Sequence, residues 1–128
     1  MHWTVEFPEG DDYAIVTTSG TFTAADHLRM IEDIVSHPGW RSGTNVLFDD
    51  RALDFSEADL RTMYEAGANH LRNDERIGSG KAAILMRSVS DYGRGRQFEL
   101  LTADRVSATM AVFLDEAEAR EWLAGQTV

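Results

Sequence analysis

The chain has 128 residues, of which 22 are acidic and 12 basic, so the formal charge is −10 with the four histidines neutral. Hydrophobic residues make up 43%, cysteine is absent and proline occurs twice. This size and apolar content fit one domain, residues 1–128, and argue against disorder. The charge argues against a surface that binds nucleic acid or anionic lipid through bulk electrostatics.

No apolar run approaches the ~20 residues of a membrane span, so no integral membrane segment is expected, and the first residues do not begin a signal peptide. Without cysteine there are no disulfides, thiolate metal sites or thiol catalysis, and a cytoplasmic address is the default expectation.

His2 to Phe7 alternates, with Trp3, Val5 and Phe7 on one face, as a half-buried strand does. Pro8-Glu9-Gly10-Asp11-Asp12 is a turn, and Tyr13 to Thr18 reads as a second strand, giving an antiparallel hairpin. Thr23 caps a helix running to about His37, with Leu28, Ile31, Ile34 and Val35 as its apolar stripe, and Pro38-Gly39 ends it.

Asn45-Val46-Leu47-Phe48 is a strand ending in Asp49-Asp50-Arg51. Ser56 is expected to cap a second helix with Leu60, Met63, Tyr64, Gly67 and Leu71 on its inner face. Lys81 to Met86 is a dense apolar run without alternation, as in a central strand covered on both faces. A third helix is predicted from Tyr92 to Asp104 with Phe98 and Leu101 inward, then a strand from Thr109 to Leu114. Asp115 caps a last helix with Ala119, Trp122 and Leu123 buried, ended by Gly125.

The order β-β-α-β-α-β-α-β-α predicts one α/β domain, a mixed and mostly parallel sheet of about five strands with about four helices. Met30, Met63, Met86 and Met110 lie inside elements and read as core. Trp122 fits the core face of the last helix, while Trp3 and Trp40 are read either as packing or as lining a dimer interface or a lipid-like pocket. An exposed edge strand is expected to favour a homodimer.

Four stretches carry a family resemblance: His37-Pro38-Gly39-Trp40 leading to Asn45-Val46-Leu47-Phe48-Asp49; Lys81-Ala82-Ala83-Ile84-Leu85; Tyr92-Gly93 with Arg96 and Phe98-Glu99; and Val112-Phe113-Leu114-Asp115 with Glu118-Ala119 and Trp122-Leu123. Through them nearly the whole chain resembles STAS-type, SpoIIAA-like proteins, in particular the bacterial group labelled STAS/SEC14-domain proteins of uncharacterised function. The resemblance implies a small sheet with packed helices, no established catalytic activity, and a regulatory or small-ligand-binding role. It also implies a comparison with anti-sigma-factor antagonists, which are switched by phosphorylation of a serine in an Asp-Ser-Ser or Asp-Ser-Thr motif followed by Gly.

The matching stretch here is Asp54-Phe55-Ser56-Glu57-Ala58, which lacks the Asp directly before Ser56 and the Gly. A phosphate on Ser56 at a helix start would gain about 0.3–1 kcal/mol from the helix dipole. Asp54, Glu57 and Asp59 would oppose it by like-charge repulsion. A plain capping serine is the simpler reading.

The candidate binding surface is the rim at the C-terminal strand ends, where loops gather beside helix starts. It brings Asp49, Arg51, Arg87, Tyr92, Arg94 and Arg96 under consideration; the last three arginines lie within ten residues of an otherwise acidic chain. Two readings stand: the arginines hold a small carboxylate or phosphate, or they form internal pairs such as Arg96 with Glu99, Asp49 or Asp50. A protein partner is a further expectation for the same surface.

Catalysis is less well supported. His27, His37 and His70 sit on or beside helices with no nucleophile motif, and His2 lies at the start of the chain. Asp49 and Asp50 alternate faces, so they do not make a shared metal site. No cofactor or metal is expected. An enzyme working at the rim, with Asp49 as acid–base and Tyr92 as partner, is the alternative to a non-enzymatic module.

Overall fold

The structure is a computed structural model that describes residues 1–125. Strands β1 (His2–Glu6), β2 (Tyr13–Thr21), β3 (Asn45–Asp54), β4 (Lys81–Leu85) and β5 (Thr109–Phe113) form one sheet in chain order. β1 runs antiparallel to β2, from His2 opposite Ser19 to Glu6 opposite Ile15, and every other pair is parallel. Five helices accompany the sheet: α1 (Ala24–Ser36), α2 (Leu60–Arg72), the single turn α3 (Asp74–Ile77), α4 (Val89–Thr102) and α5 (Glu116–Leu123).

Parallel crossovers keep one hand, so strands laid down in chain order place their connecting helices on one face. Accordingly Met30 and Ile34 of α1, Met63 and Ala66 of α2, and Phe98 of α4 share a core with Val16, Val46, Ala82, Ile84, Met110 and Val112. α5 covers the opposite face, where Ala119 and Leu123 pack on Tyr13, Leu47, Ala83 and Leu85. Successive residues of β4 feed the two cores alternately, which is why its apolar run does not alternate. Four of the methionines, Met30, Met63, Met86 and Met110, are buried as the sequence predicts.

Thr23 caps α1 by accepting from the Asp26 N–H at 3.1 Å, and Asp115 caps α5 by accepting from the Ala117 N–H at 2.8 Å. Ser88 caps α4, which starts ahead of the expected Tyr92. β3 runs past the expected end in Asp49-Asp50-Arg51 to Asp54, because this part pairs with the polar end of β2, Thr21 lying opposite Asp54.

The second helix departs most from expectation. Its cap is Asp59, accepting from the Thr62 N–H at 2.8 Å, and not Ser56. Phe55 and Ala58 are buried and anchor the turn before the helix, which delays its start. Of the expected inner face only Met63 is buried; Leu60, Tyr64 and Leu71 are 55%, 51% and 45% exposed. The inward stripe is instead Met63, Ala66, Asn69 and His70.

Within α4, a Cβ on Gly95 would meet Val112 Cγ1 at 2.9 Å and Met86 Cε at 3.1 Å, whereas one on Gly93 would meet nothing within 4 Å. Helix propensity favours alanine over glycine by ~1 kcal/mol at either site, while overpacking costs ~1–3 kcal/mol. Urea denaturation should therefore find Gly93→Ala more stable than the parent and Gly95→Ala less stable. Equal shifts in the two variants would contradict this packing of α4 on β5.

Candidate functional site

The residues that carry unspent chemistry lie under the helical face rather than on the rim. The α1 stripe that buries Met30, Ile31 and Ile34 also turns His27 inward, since it lies three, four and seven residues before them. The α2 stripe likewise carries His70 seven residues after Met63. Asn69 donates from Nδ2 to the Ala24 carbonyl at 2.8 Å and ties the end of α2 to the start of α1.

Phe98 of α4 then stands edge-on to both imidazoles, with ring centroids 5.8 Å from His27 and 6.3 Å from His70. Phe22 lies 5.5 Å from the His27 ring and stacks on Phe55 at 5.2 Å. His27 and His70 are only 8% and 7% exposed. His27 Nδ1 and His70 Nε2 are buried with no hydrogen-bond partner among the described residues.

Both rings border a cavity of about 80 Å³ between these helices and the sheet. Its wall is mainly aliphatic and aromatic, including Phe48, Phe55, Ile84 and Trp40; its ionisable side chains are His27, His70 and Asp50, with no Lys or Arg. It has room for a few waters or one small organic molecule.

Asp50 reaches the cavity by the ordinary alternation of β3, on the same face as Val46 and Phe48, and a bulge follows it. Thr17 pairs with Asp49 and Ser19 with Ala52, so β3 carries one extra residue there. Asp49 faces α5, and Asp50 turns to the helical side, where Thr18 Oγ1 donates to its Oδ1 at 2.6 Å. Burial pushes the Asp50 carboxyl up to about 6, opposed by the Thr18 bond and reinforced by the charge of Asp49. Burial lowers His27 to about 3, helped by the neighbouring His70, and lowers His70 to about 4 against the pull of Asp74. At neutral pH both imidazoles are uncharged, each with one donor and one acceptor nitrogen.

The structure divides the expected rim residues between the two faces of the sheet. Arg51 grips Asp49 with Nε and Nη2, both at 2.9 Å, and reaches Glu116 of α5 at 2.9 Å. The Arg51 guanidinium holds the Asp49 carboxyl below the usual carboxylate range. Glu116 also accepts from Arg120, which donates to the Tyr13 hydroxyl at 2.8 Å, so this network is tied into α5.

On the helical side Arg96 pairs with Glu99 of its own helix at 2.7 Å, and Tyr92 packs partly buried against the core. Among the described residues Arg87 and Arg94 enter no salt bridge. Ser56 is exposed in the turn before α2, its N–H donating to Asp54 Oδ1 at 2.8 Å. Trp40 lines the cavity and donates to the Arg76 carbonyl at 3.0 Å, whereas Trp3 on β1 donates to Asp33 at 2.9 Å. Among the described residues no group of three or more His, Asp or Glu side chains is placed to hold a metal ion. Among the described residues no helix is long and apolar enough to cross a membrane.

The polar set of His27, His70 and Asp50 was not legible as a site in the sequence. His27 and His70 stand at core-facing helical positions, and that placement is the one signal that pointed to them.

An uncharacterised protein of the DUF3478 family with a SpoIIAA-like fold, from Shewanella loihica PV-4, superposes with a TM-score of 0.60 over 95% of this chain and 92% of its own, at 17% identity. The fold is SpoIIAA-like. No protein-family model matches the sequence, and no curated protein matches it. The likeness therefore supports the fold expected from the four motif stretches, with five helices where about four were predicted.

The buried groups make stability depend on pH. Above pH 6.5 both imidazoles are neutral in the folded and the unfolded chain and contribute nothing. As pH falls, the unfolded imidazoles bind protons near 6.5 while the folded ones resist until about 4 and about 3, so stability is lost across that window. Asp50 runs the other way: its contribution is full below the ordinary carboxyl value of 3.8 and lost as pH rises through about 6. Between pH 6 and 4 one of the two histidine effects is thus cancelled, leaving a net loss of roughly 1.4 kcal/mol per pH unit. Urea melts at pH 6, 5 and 4 should show this slope, and His70→Gln should flatten it. A flat parent profile would place the imidazoles in water.

Proposed function

We propose that this protein is a non-enzymatic small-ligand-binding module whose ligand occupies the cavity beneath α1, α2 and α4. The observation that carries this reading is the pair of buried imidazole nitrogens, His27 Nδ1 and His70 Nε2, left without partners beside an apolar cavity. An unsatisfied buried polar group costs about 1–3 kcal/mol, and native cores rarely keep one without a partner. An apolar pocket with a few polar groups is the usual form of a small-molecule site.

The rim is a secondary candidate. Arg87 and Arg94 are the rim cations without an ion-pair partner among the described residues, so an acidic group on a protein partner or a small anion would meet them first. Asp49, Arg51 and Arg96 are already paired and lie on opposite sides of the sheet. A phosphoswitch at Ser56 has weaker support, because the serine is not at a helix start and Asp54 is bonded to its N–H.

Ala82 is buried on β4 and borders the cavity, so Ala82→Ile fills part of it with a residue suited to a strand. Filling a cavity of this size recovers up to about 2 kcal/mol, at roughly 24 cal/mol per Å³. A thermal-shift series with small apolar alcohols, ketones and amides should raise the melting temperature of the parent and not that of Ala82→Ile. No shift in the parent, or equal shifts in both, would reject the cavity as the ligand site.

A further inference from the structure

Resting on the reading of the cavity as a ligand site, we propose that its ligand is an uncharged molecule with a compact apolar body and one hydrogen-bonding group, of the alcohol, ketone or primary-amide class, and that carboxylates of the same shape are rejected. The charge of the lining decides this. No Lys or Arg borders the cavity, and the ammonium of Met1, the one other cationic group of the lining residues, is already paired with Asp26 at 3.3 Å, so a carboxylate would leave water for a space with no free counter-ion. It would share that space with Asp50, whose own ionisation burial already opposes.

The two imidazoles do not supply the missing charge. His27 packs against Phe22 and Phe98 and His70 against Phe98, and burial keeps both neutral well below physiological pH. A neutral imidazole offers a hydrogen bond without a charge, and a hydroxyl, carbonyl or amide answers it as donor, acceptor or both. A protonated amine meets a single carboxylate, Asp50, which stands on the sheet wall and already accepts from Thr18 at 2.6 Å. The imidazoles stand on the helical wall, so an ammonium satisfying Asp50 leaves the orphan nitrogens unanswered.

The size of the cavity sets the probes. About 80 Å³ suits a branched four-carbon body, so isosteric series built on one isobutyl skeleton separate charge from shape. The uncharged members are 2-methylpropan-1-ol and 2-methylpropanamide. 2-Methylpropanoate replaces the amide by an anion, 2-methylpropan-1-amine replaces the hydroxyl by a cation, and 2-methylbutane replaces it by a methyl group.

Titration of the full chain at pH 7.5, followed by the methyl signals of Met30 and Met63 and by the imidazole nitrogens of His27 and His70, reads binding at the site itself. The proposal predicts saturable shifts with the alcohol and the amide, and affinities at least about tenfold weaker for the carboxylate and the amine. It also predicts that the hydrocarbon moves the methyl signals but not the imidazole nitrogens, and binds more weakly than the alcohol. A carboxylate or amine that matches its uncharged isostere would overturn the proposal, as would a hydrocarbon that matches the alcohol; in each case the cavity would stand as a binding site. If no member moves these signals, the cavity holds water only, and the proposal falls together with the reading beneath it.

Discussion

Chain order equal to strand order governs this molecule. Each parallel step from β2 to β5 returns its helix to the same side, so α1, α2 and α4 crowd one face while α5 alone closes the other. β4 must then be apolar on both faces, and Ala82 and Ala83 in it are small enough to let helices approach from either side. Gly95 continues this logic in α4, where the helix backbone lies directly on Val112. The crowded face does not close completely, and the space left under its three helices is the cavity.

Polar groups border that space because tertiary contacts, not local preference, turn them inward. His27 and His70 are held by the same helical stripes that bury the aliphatic residues beside them. Two orphaned nitrogens at about 1–3 kcal/mol each are a large cost against a stability of about 5–15 kcal/mol. A hydrogen-bonding group inside the cavity would offset it. Strand alternation separates the two neighbouring acids: Asp49 is committed to Arg51 on the α5 side, and Asp50 faces the interior with Thr18 as its donor.

Much of the architecture could be read directly from residues. The caps at Thr23 and Asp115, the alternation of β1 and the continuous apolar run of β4 all express local chemistry that the fold preserves. The facing of α2 was not readable, because two stripes at helical spacing compete in it. Leu60, Tyr64 and Leu71 form the more apolar one, but Met63, Ala66, Asn69 and His70 win through Asn69 bonding to Ala24 and His70 meeting Phe98. The acidic half of β3 was hidden for a similar reason, since its strand character comes from pairing with β2 and not from its own composition. Charge clustering on the rim was visible in the sequence. Which carboxylate each arginine meets depends on the sheet that separates them.

The central claim is that two buried imidazoles border an apolar cavity and remain neutral there. Nitrogen-detected NMR titration of the four histidines between pH 7.5 and 4.5 tests it most directly. His27 and His70 are predicted to keep the chemical shifts of neutral imidazole down to pH 5. If both instead titrate near the ordinary value of 6.5, the imidazoles are solvated and the cavity is not the site described.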